Sequence, residues 1–194
     1  MMRATLFALA LLLVAARASA ERQIKPFLGV TFGGGTTLVD LEHASGKPNV
    51  AVGVSGVLLG DLIGVDADFG YAPGFFQSGP RQLVLRSSVM TLTGNIVLAL
   101  PRRLTEYTLR PYVVGGGGII RARTENSLSV LQVASTLPAM DLGGGVTGFV
   151  TDRIGLNWEI RHFRSVGKGQ DSGLSFGGAQ LSFWRASMAF AARY

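Results

Sequence analysis

Residues able to act as nucleophile, base or metal ligand are sparse in this chain of 194 residues, and their spacing does not bring them together. There is no cysteine, which removes thiolate nucleophiles, thiolate metal sites and disulfides at once. The two histidines, His43 and His162, are far apart and neither has a carboxylate at ligand spacing, so no metal is expected. A hydrolytic triad needs a histidine, a nucleophile and a carboxylate within mutual reach. The nearest stretch is His162-Phe163-Arg164-Ser165, followed by Asp171. Three positions separate His162 from Ser165, which in an extended strand sends the two side chains to opposite faces. Catalysis is therefore not expected. Gly33-Gly34-Gly35 and Gly115-Gly116-Gly117-Gly118 lack the Lys-Ser/Thr pair and the following helix of a phosphate-binding loop, so they read as places where the chain must curve. No cofactor is expected.

What remains polar is arranged by period two. Ile154, Leu156, Trp158 and Ile160 alternate with Gly155, Asn157, Glu159 and Arg161, and Val65, Ala67, Phe69 and Tyr71 alternate with Asp66, Asp68 and Gly70. Near the end of the sequence Trp184, Ala186, Met188, Phe190 and Ala192 form one face, with Arg185, Ser187, Ala189, Ala191 and Arg193 on the other. Each is the signature of a two-faced β-strand. Charges of both signs share one face, and opposite charges held together there offset the cost of leaving water. Asp66, Asp68, Arg110, Asn157, Glu159, Arg161, Arg185 and Arg193 form the candidate polar network. Alternation alone does not say which face is interior.

Strand count, connection lengths and the aromatic ending decide that question. Strand-compatible segments run approximately 25–36, 48–59, 63–75, 87–100, 108–120, 139–150, 153–164 and 181–194, an even number. A tilted strand needs only about 9–11 residues to cross a bilayer. The connections are long at 37–47, 76–86, 121–138 and 165–180, and shorter at 60–62, 101–107 and 151–152, the rhythm of a membrane barrel with loops at one end and turns at the other. Trp158, Trp184, Tyr71, Tyr112 and Tyr194, with Phe69, Phe163 and Phe183, are candidates for the aromatic girdles at the membrane boundaries. Residues 1–20 join the basic Arg3, the apolar run Leu6 to Ala16 and the small-residue site Ala18-Ser19-Ala20, as a cleavable export signal does. Of the 18 basic residues, Arg3 and Arg17 precede residue 21, so 16 face the 12 acidic ones beyond it, a mild positive charge. Export and the lack of a basic-aromatic cluster exclude nucleic acid as a partner. Lipid head groups are the expected counterpart of the outward basic residues.

The stretch Leu59 to Tyr71, the stretch Ile154 to Arg164 and the segment Phe183 to Tyr194 resemble the outer-membrane β-barrel superfamily, its small single-domain OmpA-like and OmpW-like members. The closing Phe190-Ala191-Ala192-Arg193-Tyr194 is similar to the family's assembly signal, although the family usually ends in Phe. The resemblance implies that Phe190 and Tyr194 are read by the barrel assembly machinery. It does not extend to the family's lipid A deacylases, which carry His and Ser two positions apart on a late strand. The expectation is an all-β chain: a signal peptide at 1–20 and, over 21–194, an eight-stranded antiparallel up-and-down transmembrane β-barrel. It would sit in the outer membrane of a Gram-negative bacterium, with a structural or surface-interaction role and no enzymatic one. A narrow solute channel and a secreted soluble ligand-binding barrel are the alternatives.

Overall fold

The computed structural model describes residues 21–36, 48–76, 84–101, 105, 109–126, 132–166, 170–171 and 180–194. The export signal expected at 1–20 and His43 lie outside the described residues. The chain forms β1 (Glu21–Thr36), β2 (Asn49–Leu59), β3 (Ile63–Pro73), β4 (Val84–Ala99), β5 (Leu109–Asn126), β6 (Gln132–Phe149), β7 (Ile154–Ser165), β8 (Gln170–Asp171) and β9 (Leu181–Arg193). All pairings are antiparallel, each long strand pairs with its neighbours in sequence, and β1 with β9 closes the ring. The two-residue β8 pairs with β6 at the loop end and is not one of the eight staves.

The register fixes the barrel's size. From Glu21 the ladder leads through Leu59, Gly64, Val97, Val114, Gly143, Arg161 and Arg185 back to Thr31 on β1, ten residues beyond its start. Eight strands with that stagger tilt by about 40° and enclose a bore that side chains can fill.

The faces are the reverse of those of a water-soluble barrel. Along β3, Ile63, Val65, Ala67, Phe69 and Tyr71 point outward while Gly64, Asp66, Asp68, Gly70 and Ala72 point inward. Leu28, Leu92, Ile96, Val113, Leu142 and Met188 are also on the outside, with Leu142 69% exposed. Together they make an apolar belt, the surface required by hydrocarbon. Replacing Leu28, midway up the belt on β1, with arginine is expected to lower the stability of the bilayer-inserted barrel by about 2–4 kcal/mol. Urea titration of folding into phospholipid vesicles measures it, with the rim substitution Arg22→Gln as the control expected to change stability by less than about 1 kcal/mol.

Two connections at one end are closed turns. Gly60 N donates to Ile63 O at 2.9 Å, and Val150 N donates to Ile154 O at 3.0 Å, so each turn closes on its own backbone. At the other end β5 and β6 extend past the expected segments 108–120 and 139–150: the connection expected over 121–138 is strand as far as Asn126 and again from Gln132. The outward Arg121 and Arg123 read as loop residues in sequence, but their inward neighbours Ile120 and Ala122 are buried against Leu137 and Ala139. β1 likewise starts at Glu21, four residues ahead of the expected strand, because Glu21 and Gln23 are polar residues on the inward face.

Candidate functional site in the barrel interior

Moving from turns to loops, the bore is filled in layers. At the turn end Arg110 reaches across the mouth, its Nη2 donating to the carbonyls of Gly60 and Asp61 at 2.8 Å each and its Nε to Leu100 O at 3.1 Å. One guanidinium thereby ties the β2–β3 turn to the end of β4. Its Nη1 is 3.5 Å from the Glu21 carboxylate, which also pairs with Arg193. Arg193 is the most exposed of the candidate network, with its guanidinium 3.8 Å from the centre of the Phe149 ring.

The middle layer centres on Arg161, whose side chain is 2% exposed. Its Nη2 is 2.7 Å from Asp66 Oδ2, its Nε 2.5 Å from Glu159 Oε1 and its Nη1 3.3 Å from Asp141 Oδ2, so a single cation is shared among carboxylates from three strands. Arg185, on β9 beside Arg161 in the ladder, donates from Nη2 to Asp68 Oδ2 at 2.8 Å. The Tyr112 hydroxyl donates to Glu159 Oε2 at 2.7 Å and accepts from Asn157 Nδ2 at 2.8 Å. Asn95 Nδ2 donates to Asp66 Oδ2 at 3.0 Å. Lys25 lies 4.9 Å from the centre of the Tyr112 ring. The described interior thus balances five carboxylates (Glu21, Asp66, Asp68, Asp141, Glu159) against five cations (Lys25, Arg110, Arg161, Arg185, Arg193). A cavity bordered by Lys25, Asp66, Arg110, Tyr112 and Arg161 measures about 10 Å³, room for about one water.

Two glycines show why such large side chains fit. A Cβ on Gly70 would stand 2.6 Å from Arg185 Nη1, and one on Gly145 would stand 2.7 Å from the Tyr112 hydroxyl oxygen. These positions leave space for the network, in addition to the curvature read from the sequence.

Above the charges the interior becomes apolar. Phe163 and Phe183 stack with centroids 5.1 Å apart, and Phe75 meets Phe183 edge-on at 5.0 Å and Phe76 at 5.1 Å. Gly74, at φ +66°, turns the chain after β3 so that Phe75 and Phe76 enter the mouth. The Ser87 hydroxyl holds them there, accepting from Phe76 N at 3.0 Å and donating to Phe76 O at 2.8 Å. Arg185 joins the two layers, its guanidinium 4.4 Å from the centre of Phe27 and 4.9 Å from that of Phe163.

No protein-family model and no curated protein matches the chain. Solved structures do. Neisserial surface protein A superposes with a TM-score of 0.63 at 11% identity, over 89% of this chain and 97% of that one. OprG, an outer membrane protein from Pseudomonas aeruginosa, gives 0.55 at 15% identity, over 91% and 96%. Ail, the attachment invasion locus protein of Yersinia pestis, solved with the heparin analogue sucrose octasulfate, gives 0.54 at 12% identity, over 89% and 99%. This is the fold of the small outer-membrane β-barrels.

Within this outer-membrane barrel fold, Asp66, Asp68, Arg110, Asn157, Glu159, Arg161 and Arg185 lie inside, and Arg193 lies at the turn-end rim. Phe190 and Tyr194 are on the outer face of β9 and at its end, both exposed. Three residues expected in the aromatic girdles are not there: Tyr112, Phe163 and Phe183 point inward and are buried. Each has interior parity on its strand, and strand-forming aromatics suit either face. Trp158, Trp184, Phe69, Tyr71 and Tyr194 are outward, and His162 packs on Trp184 with centroids 4.8 Å apart. Ser165 faces inward, its Oγ accepting from Leu181 N at 2.8 Å, so His162 and Ser165 lie on opposite sides of the wall. Glu21, Lys25, Asn95, Tyr112 and Asp141 belong to the network as well, beyond the residues that alternation singles out. The inward sequence Glu21, Gln23, Lys25 on β1 carries the signal for two of them; Asp141 is flanked by apolar residues and glycines that hide its parity.

Proposed function

We propose that this chain is an integral outer-membrane protein whose barrel is closed to solutes and whose role is structural or exercised at its loop-end surface, without enzymatic activity. The filled bore carries this reading: among the described residues a charge-balanced layer and an aromatic layer lie in series, and the cavity bordered by Lys25, Asp66, Tyr112 and Arg161 in the first holds about 10 Å³. A belt of outward aliphatic side chains supports residence in a bilayer. The names of two structures with the same fold, a surface protein and an attachment protein, support a surface role. In this reading Glu21 and Tyr194 lie on the periplasmic side, the loops face outward, and Phe190 and Tyr194 form part of the surface read by the assembly machinery.

Two measurements test it. Refolded protein is expected to change gel mobility only after boiling, and in planar bilayers to give no discrete conductance steps above background. Reproducible steps that are altered by neutralising Arg161 or Arg185 would replace the closed-barrel reading with a channel through the network. Recovery from cells as a detergent-free soluble protein with no mobility change would overturn membrane insertion.

A further inference from the structure

Two aromatic rings fill the loop end of the bore without belonging to its wall. β3 ends at Pro73, and Phe75 and Phe76, each 3% exposed, follow it into the mouth. They are held from β4: Gly74 N donates to Ser87 O at 2.7 Å, and the Ser87 hydroxyl engages both backbone groups of Phe76. Gly74, at φ +66°, is the hinge of this short segment. The rings sit in an apolar cup whose walls include Val89, Ile120, Leu137, Phe163 and Phe183. All five wall residues are set in long strands, so the barrel builds the cup and the two rings are its contents.

The floor of the cup is polar and incompletely paired. On the β3–β4 wall Ala72 faces Val89, and two residues lower Gly70 faces Thr91. Thr91 is buried, and its Oγ1 has no hydrogen-bond partner among the described residues; the same holds for Nη1 of the buried Arg185. A Cβ on Gly70 would stand 2.7 Å from the first atom and 2.6 Å from the second, so one acceptor oxygen beside Gly70 reaches both. Buried donors left unpaired cost free energy that a matching ligand atom recovers. Charge decides what kind of atom that is. At the turn end Glu21 faces Arg110 and Arg193, which leaves Asp66, Asp68, Asp141 and Glu159 around Lys25, Arg161 and Arg185. No positive charge is spare there, so a buried anion finds no counter-charge and a neutral acceptor fits.

We infer that the loop-end cup is a binding site for a small neutral aromatic molecule carrying one carbonyl or hydroxyl oxygen, and that Phe75 and Phe76 are its tethered occupants. The inference goes beyond the proposed function and rests on its filled barrel: the Arg161 and Arg185 layer closes the bore below, so the site is entered from the loop end and leads no further. The ring of the ligand takes the place of Phe75 against Phe183, and its oxygen accepts from Arg185 Nη1 and Thr91 Oγ1. The levels of Val89 and Thr91 are two residues apart on one strand, about 6.7 Å, which is close to the reach of a phenyl ring joined to a carbonyl through two methylenes.

The probe is 4-phenylbutan-2-one, titrated calorimetrically into the full barrel in phosphatidylcholine nanodiscs, with empty nanodiscs as the blank for partition into lipid. Wild type is expected to bind it weakly, because the two rings compete. Phe75→Ala/Phe76→Ala, which removes the competitor, should bind about tenfold more tightly, and Thr91→Val in that background should lose about fivefold. The isosteric anion 3-phenylpropionate and the acceptor-free butylbenzene should each bind more weakly than the ketone. Heat of binding no greater than the blank in a folded Phe75→Ala/Phe76→Ala barrel, or binding indifferent to Thr91→Val, would overturn the site. Should the double variant fail to fold, wild type and Ser87→Ala decide: the ketone is expected to speed hydrogen exchange at the Phe76 amide in wild type and to bind about fivefold more tightly to Ser87→Ala, whose rings are unlatched; neither effect would again overturn it. Heat-dependent gel mobility is read for every sample: a wild type that never forms the heat-modifiable barrel overturns the membrane reading itself, whereas a folded barrel that ignores the ketone overturns only the inference.

Discussion

Replacing Arg161 with methionine is expected to lower the unfolding free energy by about 3–5 kcal/mol, the largest loss from any single charged residue of this barrel. The guanidinium lies within 3.3 Å of carboxylates from Asp66, Asp141 and Glu159, and its removal leaves those carboxylates buried with their common partner gone. Methionine fills much of the space, so the loss reports charge more than volume. The destabilisation should be partly relieved by removing an orphaned charge as well: Arg161→Met/Glu159→Gln is expected to be more stable than Arg161→Met alone, because a buried pair removed together costs less than a pair broken. Arg193→Met should cost no more than about 1 kcal/mol, since its side chain is 27% exposed and its ion pair with Glu21 is screened by water. Urea unfolding from vesicles, followed by tryptophan fluorescence, measures all three. If Arg161→Met proved as mild as Arg193→Met, the central network would have no part in holding the staves together.

These contrasts between residues show how far the architecture is legible in the sequence. Alternation in Val65–Tyr71 and Ile154–Arg161 is unbroken, and a one-residue slip would exchange apolar and charged faces completely, so strand identity and the division of side chains between two faces follow from the local pattern, while strand count and connection lengths say which face is interior. The interior charges on those strands follow with them. Legibility ends where both faces carry similar residues. Phe163 and Phe183 lie on strands whose outer faces are also aromatic, at Trp158 and Trp184, so residue type does not separate lumen from girdle and only parity does. The same difficulty hides the upper halves of β5 and β6, where Arg121 and Arg123 on β5 face out above the belt and Ile120, Ala122, Leu137 and Ala139 face in, the reverse of the contrast lower down. The register that brings Asp66 on β3 to Arg161 on β7 is set by the ten-residue stagger of the closed barrel. No local pattern in the sequence encodes it.

The loop-end aromatic layer supplies the second large effect. Phe183→Ala is expected to cost about 3–5 kcal/mol, because its ring is buried against both Phe163 and Phe75 and the rigid barrel wall has little freedom to collapse into the space left. Phe69→Ala, on the outer wall of β3 and 38% exposed, removes the same ring from a lipid-facing position and should cost far less. The substitution also separates stability from sealing. Below Phe183 the Arg185–Asp68 pair and the Arg161 cluster remain in place, so Phe183→Ala is expected to stay non-conducting despite its lost stability. Only a variant that also shortens the charged layer, such as Phe183→Ala/Arg185→Ala, should open a continuous wet path and give conductance steps in planar bilayers. Conductance from Phe183→Ala alone would mean that the aromatic ring is the seal and that the charged layer beneath it already admits water and ions.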